Sequence, residues 1–64
     1  MTNKQDILRT EVKMLKATKD IKYLKIAELL GIKTNSFYNW LKCQYNFSEE
    51  TLNKLTNIVN DLKN

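Results

Sequence analysis

Gly31 is the only glycine in a 64-residue chain that has no proline, so it marks where the backbone can take a positive φ without strain. On its N-terminal side Leu24, Ala27 and Leu30, and Ile26 with Leu29, repeat at helical spacing. That spacing predicts a helix over 21–30, closed by a left-handed residue at Gly31. Beyond the glycine, Phe37, Trp40 and Leu41 fall at i, i+3 and i+4. A helix over 34–42 then buries one face and turns Asn35, Tyr38, Asn39 and Lys42 outward. The centre of the chain therefore reads as two short helices joined by a tight turn.

Longer periodic segments flank this pair. Leu8, Val12 and Leu15 recur at i, i+4 and i+7, with Ile7 and Met14 alongside, which predicts a helix over 3–17 capped by Thr2 or Asn3. The polar break ATKD follows, and Asp20 stands where it can accept from the first N–H groups of the next helix. Near the other end Ser48 is a good N-cap, Glu49 and Glu50 complement the helix dipole, and Phe47 with Leu52 has the spacing of a hydrophobic staple. Leu52, Leu55, Val59 and Leu62, with Ile58 beside them, extend that helix over 48–62. The expected architecture is all-α, four helices in a single domain spanning 1–64, with no strand pattern. A chain this short buries only about 60% of its unfolded surface, so it needs close helix packing or a partner chain.

Composition narrows the function classes. The lone Cys43 and the absence of histidine remove a disulfide framework and the usual zinc spacings, and point to a reducing, cytoplasmic setting. The segment MTNKQDILRT lacks the apolar core of a secretory signal, and no apolar run approaches the roughly 18 residues of a membrane span. Without histidine, a paired-carboxylate cluster or a phosphate loop, neither an enzyme nor a cofactor, metal or small-molecule substrate is expected. Charge is uneven: residues 1–42 carry nine basic and four acidic side chains, and residues 43–64 carry two and three. No Asp or Glu lies between Leu29 and Ser48, so this section of the surface lacks the charges that would repel a polyanion.

Taken together, Ala27 inside the second helix, Gly31 four positions later, Ile32 directly after it, Phe37 and Trp40 at buried positions of the third helix, and SEETLNKL opening a following helix form a specific combination. Ala27 allows two helices to cross closely, and Ile32 and Phe37 fill the wedge between them. In these features residues 21–62 resemble the helix-turn-helix domain of the Cro and phage-repressor family, also called the Xre family. The chain departs from that pattern at Lys22 and Lys33, where the family usually has a Ser, Thr or Asp cap, and at Cys43, where it often has glycine. Cations at a helix N-terminus oppose the dipole by up to about 1 kcal/mol unless an anion is bound there. The alternative is that Asp20 and Thr34 are the real caps.

The resemblance implies sequence-specific binding of double-stranded DNA by a small transcriptional regulator, a repressor acting by promoter or operator occlusion, autoregulatory, and of phage or mobile-element origin. Carried onto matching positions, base reading falls to Lys33, Thr34, Asn35 and Asn39. Contacts to the DNA backbone fall to Lys22, Tyr23, Lys42, Gln44 and Asn46, with Ser36 and Tyr38 within reach of backbone or base edges. The chemistry agrees independently: an Asn amide pairs bidentately with adenine N6 and N7, and a Thr methyl packs on the thymine methyl. Family members usually bind as homodimers that set two recognition helices about 34 Å apart. Ile58, Val59 and Leu62 are the candidate dimer seam, with Met14 a weaker one, unless the domain's own core absorbs them. The alternative function is a protein-binding module, inhibitor or antitoxin-like, on the same scaffold.

Overall fold

Asn3 starts the first helix: its Oδ1 accepts from the Asp6 N–H at 2.9 Å. The computed structural model describes residues 3–64, so Thr2, the other candidate cap, lies outside the described residues. Four helices follow: α1 (Lys4–Lys19), α2 (Tyr23–Leu30), α3 (Thr34–Leu41) and α4 (Glu49–Lys63), with no strand among the described residues. The all-α, four-helix expectation holds. None of these helices is long and apolar enough to cross a membrane.

The helix ends correct the sequence reading in one place. Residues 17–19 continue α1, and Asp20 closes it in the left-handed region (φ 55°), its N–H reaching the Leu15 carbonyl. Asp20 therefore does not cap α2. Aspartate is one of the few residues besides glycine that tolerate left-handed backbone, and Ala17, Thr18 and Lys19 have no reason to leave a helix already under way. α2 instead starts at Lys22 and α3 at Lys33, both extended, neither making a side-chain cap bond. The lysines stand at the cap positions themselves, and Thr34 is already helical.

Gly31 behaves as expected, with φ 80°. The Ile32 N–H reaches back to the Ala27 carbonyl (3.1 Å) and the Gly31 N–H to Glu28 (3.1 Å), the paired bonds of a Schellman closure. α3 ends the same way one helix later. Gln44 N–H bonds Asn39 O and Cys43 N–H bonds Trp40 O, both at 3.0 Å, with Cys43 at φ 64°. At α4 the Ser48 hydroxyl accepts from the Thr51 N–H, and Phe47 and Leu52 are both buried, as a staple requires.

The core is built from one stripe of each helix: Leu8, Val12 and Leu15 from α1; Ile26, Ala27 and Leu30 from α2; Phe37, Trp40 and Leu41 from α3; Leu52, Leu55 and Val59 from α4; and Phe47 from the loop. Trp40 and Phe37 are fully buried, and the Trp40 ring stacks on Phe47 at 4.5 Å between centroids. α1 and α4 run in the same direction. Lys4 meets Glu49 and Asn53 at one end, while Lys19 Nζ donates to the carbonyls of Leu62 and Lys63 at the other. α2 and α3 form the crossover between them, α2 packing on both α3 and α4.

Burial also corrects the dimer seam. Val59 is fully enclosed by its own chain, so it cannot serve as a contact residue; Ile58 and Leu62 are half-buried against the core. Met14, the weaker seam candidate, stays in solvent on α1, as do Ile7 on the same helix and Leu24 and Leu29 on α2. α2 is apolar around most of its circumference, and an eight-residue helix cannot bury every side.

Candidate nucleic-acid interface

The outward face of α3 follows from its buried one. With Phe37, Trp40 and Leu41 inward, helical rotation sets Asn35, Asn39 and Lys42 within about 60° of one another on the opposite side, and all three are exposed. Lys33 is exposed at the head of this stripe. Thr34 lies about 100° round from Asn35 and is half-buried, so it sits at the edge of the face, not on its crest.

Two tyrosines flank the stripe. Tyr38, 40% exposed, lies on one edge with its ring edge-on to Tyr23 at 5.7 Å. Tyr23 is half-buried between α1 and α3, touching the Phe37 ring on one side and carrying the Lys16 ammonium 4.7 Å from its centroid. On the other edge Ser36 is half-buried, and its carbonyl accepts from the Tyr45 hydroxyl at 2.8 Å. That bond lays the Tyr45 side chain along α3.

The ion pairs lie away from this face. The ion pairs among the described residues are Lys4–Glu49, Arg9–Asp6 and Lys63–Glu11, all on α1 and α4. None involves Lys22, Lys25, Lys33 or Lys42. Among the described residues the side chains of Lys33, Asn35, Asn39 and Lys42 also make no hydrogen bond within the chain. With no side-chain acceptor at either N-cap, the first N–H groups of α2 and α3 are open to an outside acceptor.

In the loop after α3, Gln44 and Asn46 are both exposed. Two α1 residues that the sequence reading passed over hold this loop. Gln5 brackets Phe47: Nε2 donates to the Phe47 carbonyl (2.8 Å), while Oε1 accepts from the Phe47 N–H (3.1 Å) and from Trp40 Nε1 (2.7 Å). Arg9 is only 6% exposed. Its Nε donates to the Trp40 carbonyl (2.7 Å), Nη1 to Asp6 (3.1 Å), and Nη2 to the Tyr45 carbonyl (3.0 Å) and Asn46 Oδ1 (3.2 Å). The guanidinium also lies 5.0 Å from the Trp40 ring centroid. A signal was present: Gln5 and Arg9 fall four apart, beside the Leu8–Val12 stripe, where amphipathic spacing expects partial burial.

A small groove of about 170 Å³ opens between the C-terminal ends of α1 and α4, lined by Met14, Leu15 and the paired Glu11 and Lys63. The α3 stripe takes no part in it. Comparison with protein-family models, curated proteins and solved structures gave no match.

Proposed function

We propose that the chain binds double-stranded DNA sequence-specifically, laying α3 in the major groove as the second helix of a helix-turn-helix. One observation carries the reading. Asn35 and Asn39 stand unengaged along the crest of α3 with Lys33 and Lys42 at its ends, on a face that neither acids nor ion pairs neutralise. The amides supply the paired donor and acceptor that adenine presents in the major groove. The lysines and the open N–H groups of α2 and α3 supply phosphate contacts.

The protein then acts as a small transcriptional repressor of the Cro type, occluding a promoter or operator, its own among them. The setting is the cytoplasm, where the single thiol of Cys43 stays reduced. A homodimer supplies the second half-site, with Ile58 and Leu62 as the remaining members of the α4 seam.

The test is fluorescence anisotropy on duplex DNA from immediately upstream of the coding region and on a scrambled duplex, both across a salt series. The expected preference for the upstream DNA is about a thousandfold or more. Asn35→Ala and Asn39→Ala should each remove roughly 1–3 kcal/mol of discrimination at an A·T pair. Lys33→Ala and Lys42→Ala should weaken binding to every sequence and flatten the salt slope by about 0.9 each. Equal, salt-labile binding to both duplexes would refute sequence recognition.

A further inference from the structure

Asn46 has its side-chain orientation decided by its neighbour. Arg9 Nη2 lies 3.2 Å from the Asn46 amide oxygen. A guanidinium donates and never accepts, so the amide must present its oxygen to Arg9 and carry its Nδ2–H2 group on the other side. Asn46 is exposed, and among the described residues Nδ2 has no partner within the chain. Two N–H donors therefore face solvent from the loop that follows α3. The same logic orients Gln5, because the indole N–H of Trp40 also only donates. Arg9 itself cannot turn away: its other nitrogens are occupied by the Trp40 carbonyl and Asp6, and Nη2 also holds the Tyr45 carbonyl.

A phosphate oxygen only accepts. A freely rotating asparagine offers it donor and acceptor faces alike, whereas Asn46 offers donors alone. We infer that Arg9 is a positioning residue for DNA binding, fixing Asn46 as an outward phosphate donor while keeping its own charge inside the molecule. The inference rests on the DNA-binding reading above, but it concerns a residue that touches no DNA.

The experiment is a double-mutant cycle on the full chain, with affinity for a mixed-sequence duplex measured by anisotropy at one fixed salt concentration and folding checked by circular dichroism. Asn46→Ala should weaken binding about tenfold in the wild-type background, the size of one charge-assisted hydrogen bond. In an Arg9→Met background the same change should cost less, about fivefold, because the freed amide presents its donors in only one of its two orientations. A merely structural Arg9 would leave the Asn46 contribution unchanged, and that outcome overturns the inference. Should Arg9→Met fail to fold, Arg9→Lys takes its place in the cycle: it keeps the cation, but one ammonium cannot hold the Trp40 and Tyr45 carbonyls and Asn46 Oδ1 together. An Asn46 contribution undiminished in that background sinks the inference alone. A wild-type chain that binds no duplex at any salt defeats the DNA-binding reading itself, and the inference with it.

Discussion

The outer helices and the inner pair follow opposite electrostatic rules. α1 and α4 begin on side chains that accept from their own first turns, carry acids in those turns and lysines in their last turns, and are tied together by ion pairs. α2 and α3 begin on lysines without a cap bond and have no acid in the first turn and no base in the last. Each inner helix is also only eight residues long, too short to persist alone in water. Burial must hold them, and their most buried residues include the bulkiest in the core. The difference separates two jobs: the outer pair is self-sufficient, while the inner pair is imposed by the core and left electrostatically incomplete on the side that faces solvent.

The most forceful way to break this contrast is to remove the burial. Trp40→Ala deletes a fully enclosed ring, its contact with Arg9 and its bond to Gln5, and should cost about 3–5 kcal/mol. A domain of this size carries only several kcal/mol in total, so urea denaturation should find the variant largely unfolded. A loss below about 1 kcal/mol would show that α3 does not depend on the core.

Cap substitutions sharpen the contrast at intermediate size. Ser48→Ala removes a real cap bond and should cost about 1 kcal/mol. Lys33→Ser creates an acceptor where none exists and removes a cation opposed to the dipole, so thermal melting should report a gain of about 0.5–1 kcal/mol. The same variant should bind DNA more weakly. If stability and binding both rise, the open N-terminus of α3 is not kept for an anion.

The smallest effect is expected at Cys43. It closes α3 with the same bond pattern that Gly31 uses for α2, but as a residue with a Cβ at φ 64°. Cys43→Gly should stabilise by less than about 1 kcal/mol, relief of left-handed strain being partly offset by the looser unfolded chain. A measured loss in denaturant would mean that the Cys43 side chain has a role beyond the turn.

Most of the fold was legible because helical periodicity is a local signal: Leu8–Val12–Leu15 and Leu52–Leu55–Val59 announce buried stripes whatever they pack against. Gly31 was legible because only glycine takes its conformation freely. Asp20 was not, since the same side chain serves as an N-cap or as a left-handed terminator, and the choice depends on where α1 happens to end. Leu24 and Leu29 match the helical spacing as well as Leu30 does, yet both stay half in solvent, because periodicity gives a face its period and not its partner. Val59 carries the same ambiguity, since the stripe of α4 does not say that its own chain covers it. At the candidate interface, the exposure of Asn35 and Asn39 could be read from α3 alone. For Gln5 and Arg9 only the partial burial could be read and not the clamp, because its partners on α3 and in the loop lie more than thirty residues away in the chain.

The same-direction pairing of α1 with α4 has a consequence for how the protein is made. Synthesis delivers α1 well before α4, the helix with which it makes its main packing contact. Until Leu52, Leu55 and Val59 emerge, α1 lacks the α4 stripe that packs with Leu8, Val12 and Leu15, although the acceptors of Arg9 at Trp40, Tyr45 and Asn46 are already made. Closing so long an intervening segment adds little entropic cost beyond that of a shorter one, yet it must come late. A chain halted before α4 would thus carry an uncovered apolar stripe on α1, which makes the arrival of α4 the step that decides between folding and aggregation.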